Sequence, residues 1–295
     1  MQLSPIALFV YNRLEHTRQT IEALRDNYLA RESELFIFSD APKDEGSKND
    51  VRLMREYLKT IEGFKKVIIF ERRNNLGASE NIIGGVTEVI NMCGKVIVLE
   101  DDLLLSRYFL KFMNDALVFY EKEEKVISVC GYMYKIDIKN QETFFLKMAD
   151  CWGWATWKRG WDLFESNAAK LLERLNVQRM IRRFDLNGGR AYSKMLKKQV
   201  QGKISSWAIR WYASAFLNNK LSLFPARSLV RNIGFDGSGM HCRNGIGYFT
   251  DIFQEPISIS MISVEENKLV LKKIEMFLKI NQLKKIGYKI CKFLD

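Results

Sequence analysis

The chain has 295 residues, 47% hydrophobic and 27% charged, an ordinary composition for a folded protein with a sizeable core. Forty-six basic against 35 acidic side chains give a formal net charge of +11, which points to acidic partners: nucleic acid, anionic lipid headgroups or phosphorylated small molecules. Five scattered cysteines argue against a disulfide framework or a structural zinc and suggest a reducing cytoplasm, and no apolar run has the length of a transmembrane helix.

The start of the chain goes straight into Pro5-Ile-Ala-Leu-Phe-Val-Tyr11, which reads as a strand and not as a signal peptide. Glu15 to Leu29 carries helical spacing through Thr17, Ile21, Leu24 and Tyr28. A second strand, Leu35 to Ser39, ends at Asp40, and Asp50 to Ile61 is helical. Lys66 to Glu71 is a third strand and Ser79 to Met92 a helix. Lys95 to Leu99 is a fourth strand, apolar throughout its interior, and runs directly into Glu100, Asp101 and Asp102. This alternation predicts a mostly parallel, Rossmann-like α/β sheet flanked by helices on both faces. In such sheets the carboxyl ends of the strands line one crevice. Tyr11-Asn12-Arg13, Ser39-Asp40, Arg72 to Gly77 and Glu100 to Asp102 are therefore expected to converge.

The first turn, Tyr11 to His16, contains no glycine, which removes the dinucleotide-binding G-x-G-x-x-G reading, and no P-loop pattern occurs. Three adjacent carboxylates after a buried strand need positive charge beside them. A hard divalent cation carrying a substrate's phosphates is one source of it, and a solvated acidic turn is the plainer alternative.

The second half is less regular. Helices are expected over Phe109 to Tyr120, Ala191 to Gln201 and Trp207 to Leu217, with strands over Val126 to Tyr132 and Leu221 to Phe224. Between them lies an aromatic segment containing Trp152, Trp154, Trp157 and Trp161. Trp152 and Trp154, beside Gly153, suit a platform for a sugar ring, and Trp157 and Trp161 suit a core. Asn232 to Cys242 is turn-rich and contains Asp236 and His241. The other histidine, His16, reads as a surface or capping residue of the first helix. Lys268 to Asp295 combines many lysines with apolar residues at near-helical spacing. That suits a basic amphipathic helix on an anionic membrane surface, or an ordinary helix packed on the body with its lysines outward.

Taken in order, these features resemble the GT-A fold glycosyltransferases. More narrowly, residues 4–245 are similar to inverting enzymes related to family 2 and to N-acetylglucosaminyltransferase I. The resemblance rests on Tyr11-Asn-Arg13, Ser39-Asp40, Arg72-Arg-Asn-Asn-Leu-Gly77 with Asn81, Glu100-Asp101-Asp102 and Trp152-Gly-Trp154. It implies a donor-binding half over 1–105, an acceptor-binding half over 106–264 and a tail over 265–295. It also implies a nucleotide-sugar donor, UDP-linked in most of the family, a Mn²⁺ or Mg²⁺ cofactor and a saccharide acceptor. The acceptor would be lipid-linked in a setting of surface-polysaccharide assembly at the inner face of the membrane. By resemblance Asp102 and His241 ligate the metal, Asp101 holds sugar or ribose, Asp40 accepts from the base, and Arg13 or Arg72 neutralises phosphate. Tyr11, Asn12, Asn75, Gly77 and Asn81 complete the donor set. In the related enzymes the catalytic base lies in a Trp-flanked acidic segment, where this chain has Ser206-Trp-Ala-Ile-Arg-Trp211 with Ala208 in place of the Asp. Asp236, then Asp150, are the replacement candidates. A sugar-phosphate nucleotidyltransferase and a non-catalytic nucleotide- or carbohydrate-binding protein are the competing readings. The scarcity of aromatics among the tail lysines disfavours a nucleic-acid surface.

Overall fold

The computed structural model describes residues 3–237 and 249–294, the last helix by its backbone alone beyond residue 283. Its first part runs β1 (Ile6–Val10), α1 (Leu14–Arg25), β2 (Glu34–Ser39), α2 (Lys48–Leu58), β3 (Lys66–Glu71), α3 (Gly77–Cys93) and β4 (Lys95–Glu100). β5 (Leu103–Leu105), α4 (Phe109–Phe119), β6 (Val126–Cys130), β7 (Thr143–Leu146) and β8 (Trp154–Trp157) follow. Then come α5 (Lys158–Trp161), α6 (Ala168–Val177), α7 (Ile181–Phe184), α8 (Tyr192–Val200) and α9 (Trp207–Leu217). β9 (Leu221–Pro225), β10 (Val230–Asn232) and α10 (Lys268–Leu294) complete the chain.

Eight strands form one sheet in the order β3-β2-β1-β4-β8-β6-β9-β7. The pairs from β3 to β4 are parallel, β8 runs against both β4 and β6, and β6 and β9 are again parallel. The expected α/β architecture with a mostly parallel sheet is present, and the sheet continues through both halves of the chain.

Both faces are covered, which is why the central strands are apolar runs without alternation. Ile6, Leu8 and Val10 point into a core shared with Ile21 and Leu24 of α1 and Met54 and Leu58 of α2. Ala7 and Phe9 face the opposite side, where they meet Phe36, Phe38 and Ile82, Val86 and Val89 of α3. Phe9, Phe38 and Phe70 stack across three neighbouring strands at 5.1 and 4.8 Å between ring centres.

The aromatic segment folds differently from its partly helical spacing. Trp154 and Trp157 lie on β8, and Trp154 is fully buried among Trp161, Trp207 and Trp211 at 5.3 to 5.9 Å. Trp154 is therefore core and cannot serve as a sugar platform, whereas Trp157 and Trp161 are core as expected. β7 and β10, four and three residues long, are too short to establish a period in the sequence, and α6 is a helix that the sequence reading does not include.

Candidate functional site

Parallel register brings the strand ends to one level. Val10 pairs with Ser39, Ser39 with Glu71, and Phe9 with Glu100. The residues after these positions meet where β1 lies between β2 and β4, the point at which strand order reverses direction in the sheet.

Asp101 and Asp102 follow β4 and are 5% and 8% exposed. Thr20 of α1 fixes their turn: its hydroxyl donates to the Asp101 carbonyl at 2.9 Å and accepts from the Leu103 amide at 3.1 Å. Positive charge comes from within the chain. One Nη of Arg13, in the turn after β1, donates to Asp101 Oδ1 and, at 3.0 Å, to Asp102 Oδ2. Burial works against the Arg13 charge, but Asp101 and Asp102 outweigh it and raise its pKa. Burial pushes Asp101 up to about 6 despite Arg13. Burial also pushes Glu100 up to about 8, helped by Asp102 and Asp101.

β10 closes the site from far along the chain. It pairs antiparallel with β5, placing Asn232 opposite Leu103. Asn232 Nδ2 donates to Asp102 Oδ1 at 3.3 Å, and the Ile233 amide donates to the Asp102 carbonyl at 2.8 Å. Gly234 then passes so close that a Cβ there would lie 2.2 Å from Asp102 Oδ2 and 2.9 Å from Arg13 Nη1. Two residues further, Asp236 Oδ2 meets His16 Nε2 at 3.1 Å, the aspartate half-exposed and the histidine largely covered. His16 thus faces the site, correcting its reading as a surface or capping residue. Phe235 packs edge-on to Trp152 at 5.5 Å, and Trp152 in turn meets Tyr132 at 4.6 Å. Arg13, His16, Asp101, Asp102, Asn232, Asp236 and the aromatic wall around Trp152 form one continuous site.

The remaining expected residues divide. Asp40 is 3% exposed, and both its carboxylate oxygens are occupied. Oδ1 accepts from the Ala41 and Leu76 amides at 2.9 Å. Oδ2 accepts from Gly77 N at 2.8 Å and Asn75 Nδ2 at 3.1 Å. Asp40 therefore anchors the loop entering α3, and its charge sits at that helix's N-terminus. Asn75 also donates to the Ala41 carbonyl at 2.7 Å, and Gly77 takes a left-handed φ of 73° that favours glycine. The Arg72 guanidinium is held at α3: Nε donates to Asn81 Oδ1 at 3.0 Å and Nη1 meets Glu88 at 2.9 Å. Both Arg72 and Asn81 thus brace α3 against the sheet. The Tyr11 hydroxyl accepts from the Lys43 amide at 3.1 Å, and Asn12 is half-buried beside Arg13.

Asp150 stands on the wall behind Trp152, whose amide donates to its Oδ1 at 2.9 Å. Burial pushes its carboxyl up to about 7. Ala208 lies in the first turn of α9, and Arg210 from that helix donates to Ser79 Oγ at 2.6 Å. His241 lies outside the described residues. Among the described residues no group of three or more His, Cys, Asp or Glu converges as a metal cage. A cavity of about 490 Å³ lined by Arg25, Asp26, Arg31, Glu62, Gly63 and Phe64 opens at the other end of α1 and shares no residue with this site.

No protein-family model and no curated protein matches the sequence. Solved structures that match include a mannosyltransferase, PcManGT from Pyrobaculum calidifontis, in complex with GDP-Man and Mn²⁺. It is 13% identical, covers 72% of this chain and 73% of that one, and gives a TM-score of 0.40. S. aureus TarS is 11% identical over 78% of this chain and 60% of that one, with a TM-score of 0.42. TarS in complex with UDP-GlcNAc is 14% identical over 48% and 38%, with a TM-score of 0.31. Similarity at this level carries nothing about substrate or chemistry.

Proposed function

We propose that this chain is a GT-A type glycosyltransferase that moves a sugar from a nucleotide-sugar donor, UDP-linked, to a saccharide acceptor. The observation that carries the reading is the convergence of Asp101, Asp102 and Arg13 at the reversal point of the sheet, with Asp236 closing over them from β10. That geometry suits a diphosphate: a guanidinium for its oxygens and carboxylates for a cation shared with it.

The donor set fits a hard divalent cation. Mg²⁺ or Mn²⁺ characteristically takes one or two carboxylates and completes its shell with phosphate oxygens and water, so a three-residue cage is not required. Asp102, with Asp101, would hold it, and when bound it would neutralise charge on the leaving diphosphate. Arg13 bonds both carboxylates in this structure, and its guanidinium would supply the positive charge for the phosphate oxygens beside such a cation.

In an inverting transfer the acceptor oxygen forms its bond to the anomeric carbon as the bond to diphosphate breaks, and a carboxylate takes the hydroxyl proton. Asp236 is assigned that role, with His16 fixing the orientation of its carboxylate. Asp150 is the second candidate, since burial places its proton affinity near neutrality. Trp152 offers an aromatic wall to the acceptor sugar. The setting that fits is surface-polysaccharide assembly on a lipid-linked acceptor. Ala208 favours the rival reading of a non-catalytic binding protein.

The test is release of nucleoside diphosphate from UDP- and GDP-sugars in the presence of Mn²⁺ and saccharide acceptors. Release from at least one donor is expected, together with its loss in Asp236→Asn while donor binding persists. Binding without release from any donor supports the non-catalytic reading. Release unchanged in both Asp236→Asn and Asp150→Asn overturns the base assignment.

A further inference from the structure

The last helix has two apolar sides. Val270, Ile274 and Leu278 are at most 2% exposed and pack onto the body, which accounts for one of them. Leu269, Met276, Ile280 and Leu283 are 75%, 65%, 47% and 68% exposed. At 3.6 residues per turn these four fall within about 60° of arc, a continuous stripe turned away from the buried one. A helix that only packs on its own domain needs a single apolar stripe and places polar residues opposite it.

Lys268, Lys272 and Lys279 follow one border of the exposed stripe at the same helical spacing, and all three are exposed. The nearest acid on that side, Glu275, is engaged by Asn187 Nδ2 at 2.6 Å. Asn187 and the Gly189 carbonyl, which accepts from Gln282 at 2.7 Å, tie the helix lengthwise to the body. Among the described residues no helix is long and apolar enough to cross a membrane.

We propose that the exposed side of α10, Leu269, Met276, Ile280 and Leu283 with its lysine border, lies flat on an anionic lipid surface. The charge pattern selects this occupant. Two copies meeting through the stripe would bring their lysine borders together, which costs energy at low salt. Nucleic acid would use the lysines but leave the apolar stripe in water. Lipid headgroups meet the lysines while the acyl boundary takes the stripe. This proposal does not depend on the donor-site reading, and lipid binding is read without turnover.

The test is co-sedimentation of the full chain with vesicles of phosphatidylcholine alone or mixed with phosphatidylglycerol. Binding to the mixed vesicles only, weakened by salt, is expected. Each lysine near an anionic surface contributes roughly a fivefold gain, so Lys272→Glu with Lys279→Glu should lower partitioning at least about 25-fold. Met276→Ser with Ile280→Ser should lower it by roughly tenfold or more. Both pairs are exposed and should leave the melting temperature unchanged. Absence of binding to the mixed vesicles, or binding that survives both double substitutions, overturns the proposal. A dimer in solution that Met276→Ser with Ile280→Ser dissolves would assign the stripe to a second copy instead and equally overturn it.

Discussion

Arg13→Met removes the positive charge that makes the acidic turn tolerable while keeping most of the side-chain volume. The side chains of Asp101 and Asp102 are only 7% and 12% exposed, and the guanidinium touching both is 21% exposed. Removing one partner of a buried ion pair costs about 3–5 kcal/mol, because the other charge is left uncompensated. Glu100, pushed up to about 8, is mostly protonated at pH 7 and adds little repulsion, and partial access of water to the Arg13 position reduces the loss, so the lower end, about 3 kcal/mol, is expected. At about 2–4 °C per kcal/mol for a chain somewhat shorter than this one, the melting temperature should fall by about 6–12 °C. Arg13→Lys should recover part of the loss, since an ammonium supplies charge but not a fork spanning two carboxylates. Mn²⁺ should recover part of it too: at a hundredfold excess over its dissociation constant a ligand adds about 2.7 kcal/mol. The assay is thermal unfolding at pH 7 and low salt, with and without Mn²⁺. An Arg13→Met protein that melts with the wild type refutes the claim that this guanidinium neutralises the cluster. A variant that Mn²⁺ does not stabilise refutes the fit of a cation to these carboxylates.

Gly234→Ala should destabilise the protein by about 1–3 kcal/mol, because its Cβ would have to displace Asp102 Oδ2, 2.2 Å away; a urea midpoint equal to that of wild type would contradict this. Asp40→Asn turns one acceptor oxygen into a donor facing amide donors, so it should cost about 1–3 kcal/mol and speed hydrogen exchange at Leu76 and Gly77. Asp150→Asn should gain stability relative to wild type as pH rises. Burial raises the folded carboxyl to about 7 from a usual value near 3.9, so between these pH values the folded state binds more protons and wild type loses stability on the way up. The difference in unfolding free energy between variant and wild type should grow by roughly 2–4 kcal/mol from pH 4 to pH 8; a constant difference contradicts the assignment.

The first four strands were legible because each is an apolar run bounded by turn residues, and their order alone predicted that Arg13, Asp40, Arg72 and Asp101 would share one end of the sheet. What each of these side chains does there was not legible. For Asp40 the resemblance implies an acceptor for the base; the four donors from Ala41, Asn75, Leu76 and Gly77 that meet it in the fold are not legible, because backbone donors leave no trace in side-chain identity. The resemblance implies that Arg13 or Arg72 neutralises phosphate; the carboxylates each meets in the fold, Asp101 and Asp102 for one and Glu88 for the other, lie far enough away in sequence to be invisible there. The pairing of His16 with Asp236 spans most of the chain and depends on β5 and β10, strands of three residues each. The glycine at 234, lying between Asn232 and Asp236, was the one local signal that backbone approaches something closely there.

The central claim is that Asp101 and Asp102 mark a metal-assisted nucleotide-sugar site. Calorimetric titration of UDP and UDP-sugars, first with Mn²⁺ and then with chelator, tests it most directly. The account predicts binding that requires Mn²⁺ and is abolished by Asp102→Ala in a protein that still folds. Failure of every nucleotide to bind, with or without Mn²⁺, would contradict it and leave the acidic pair as a buried ion-pair network with Arg13.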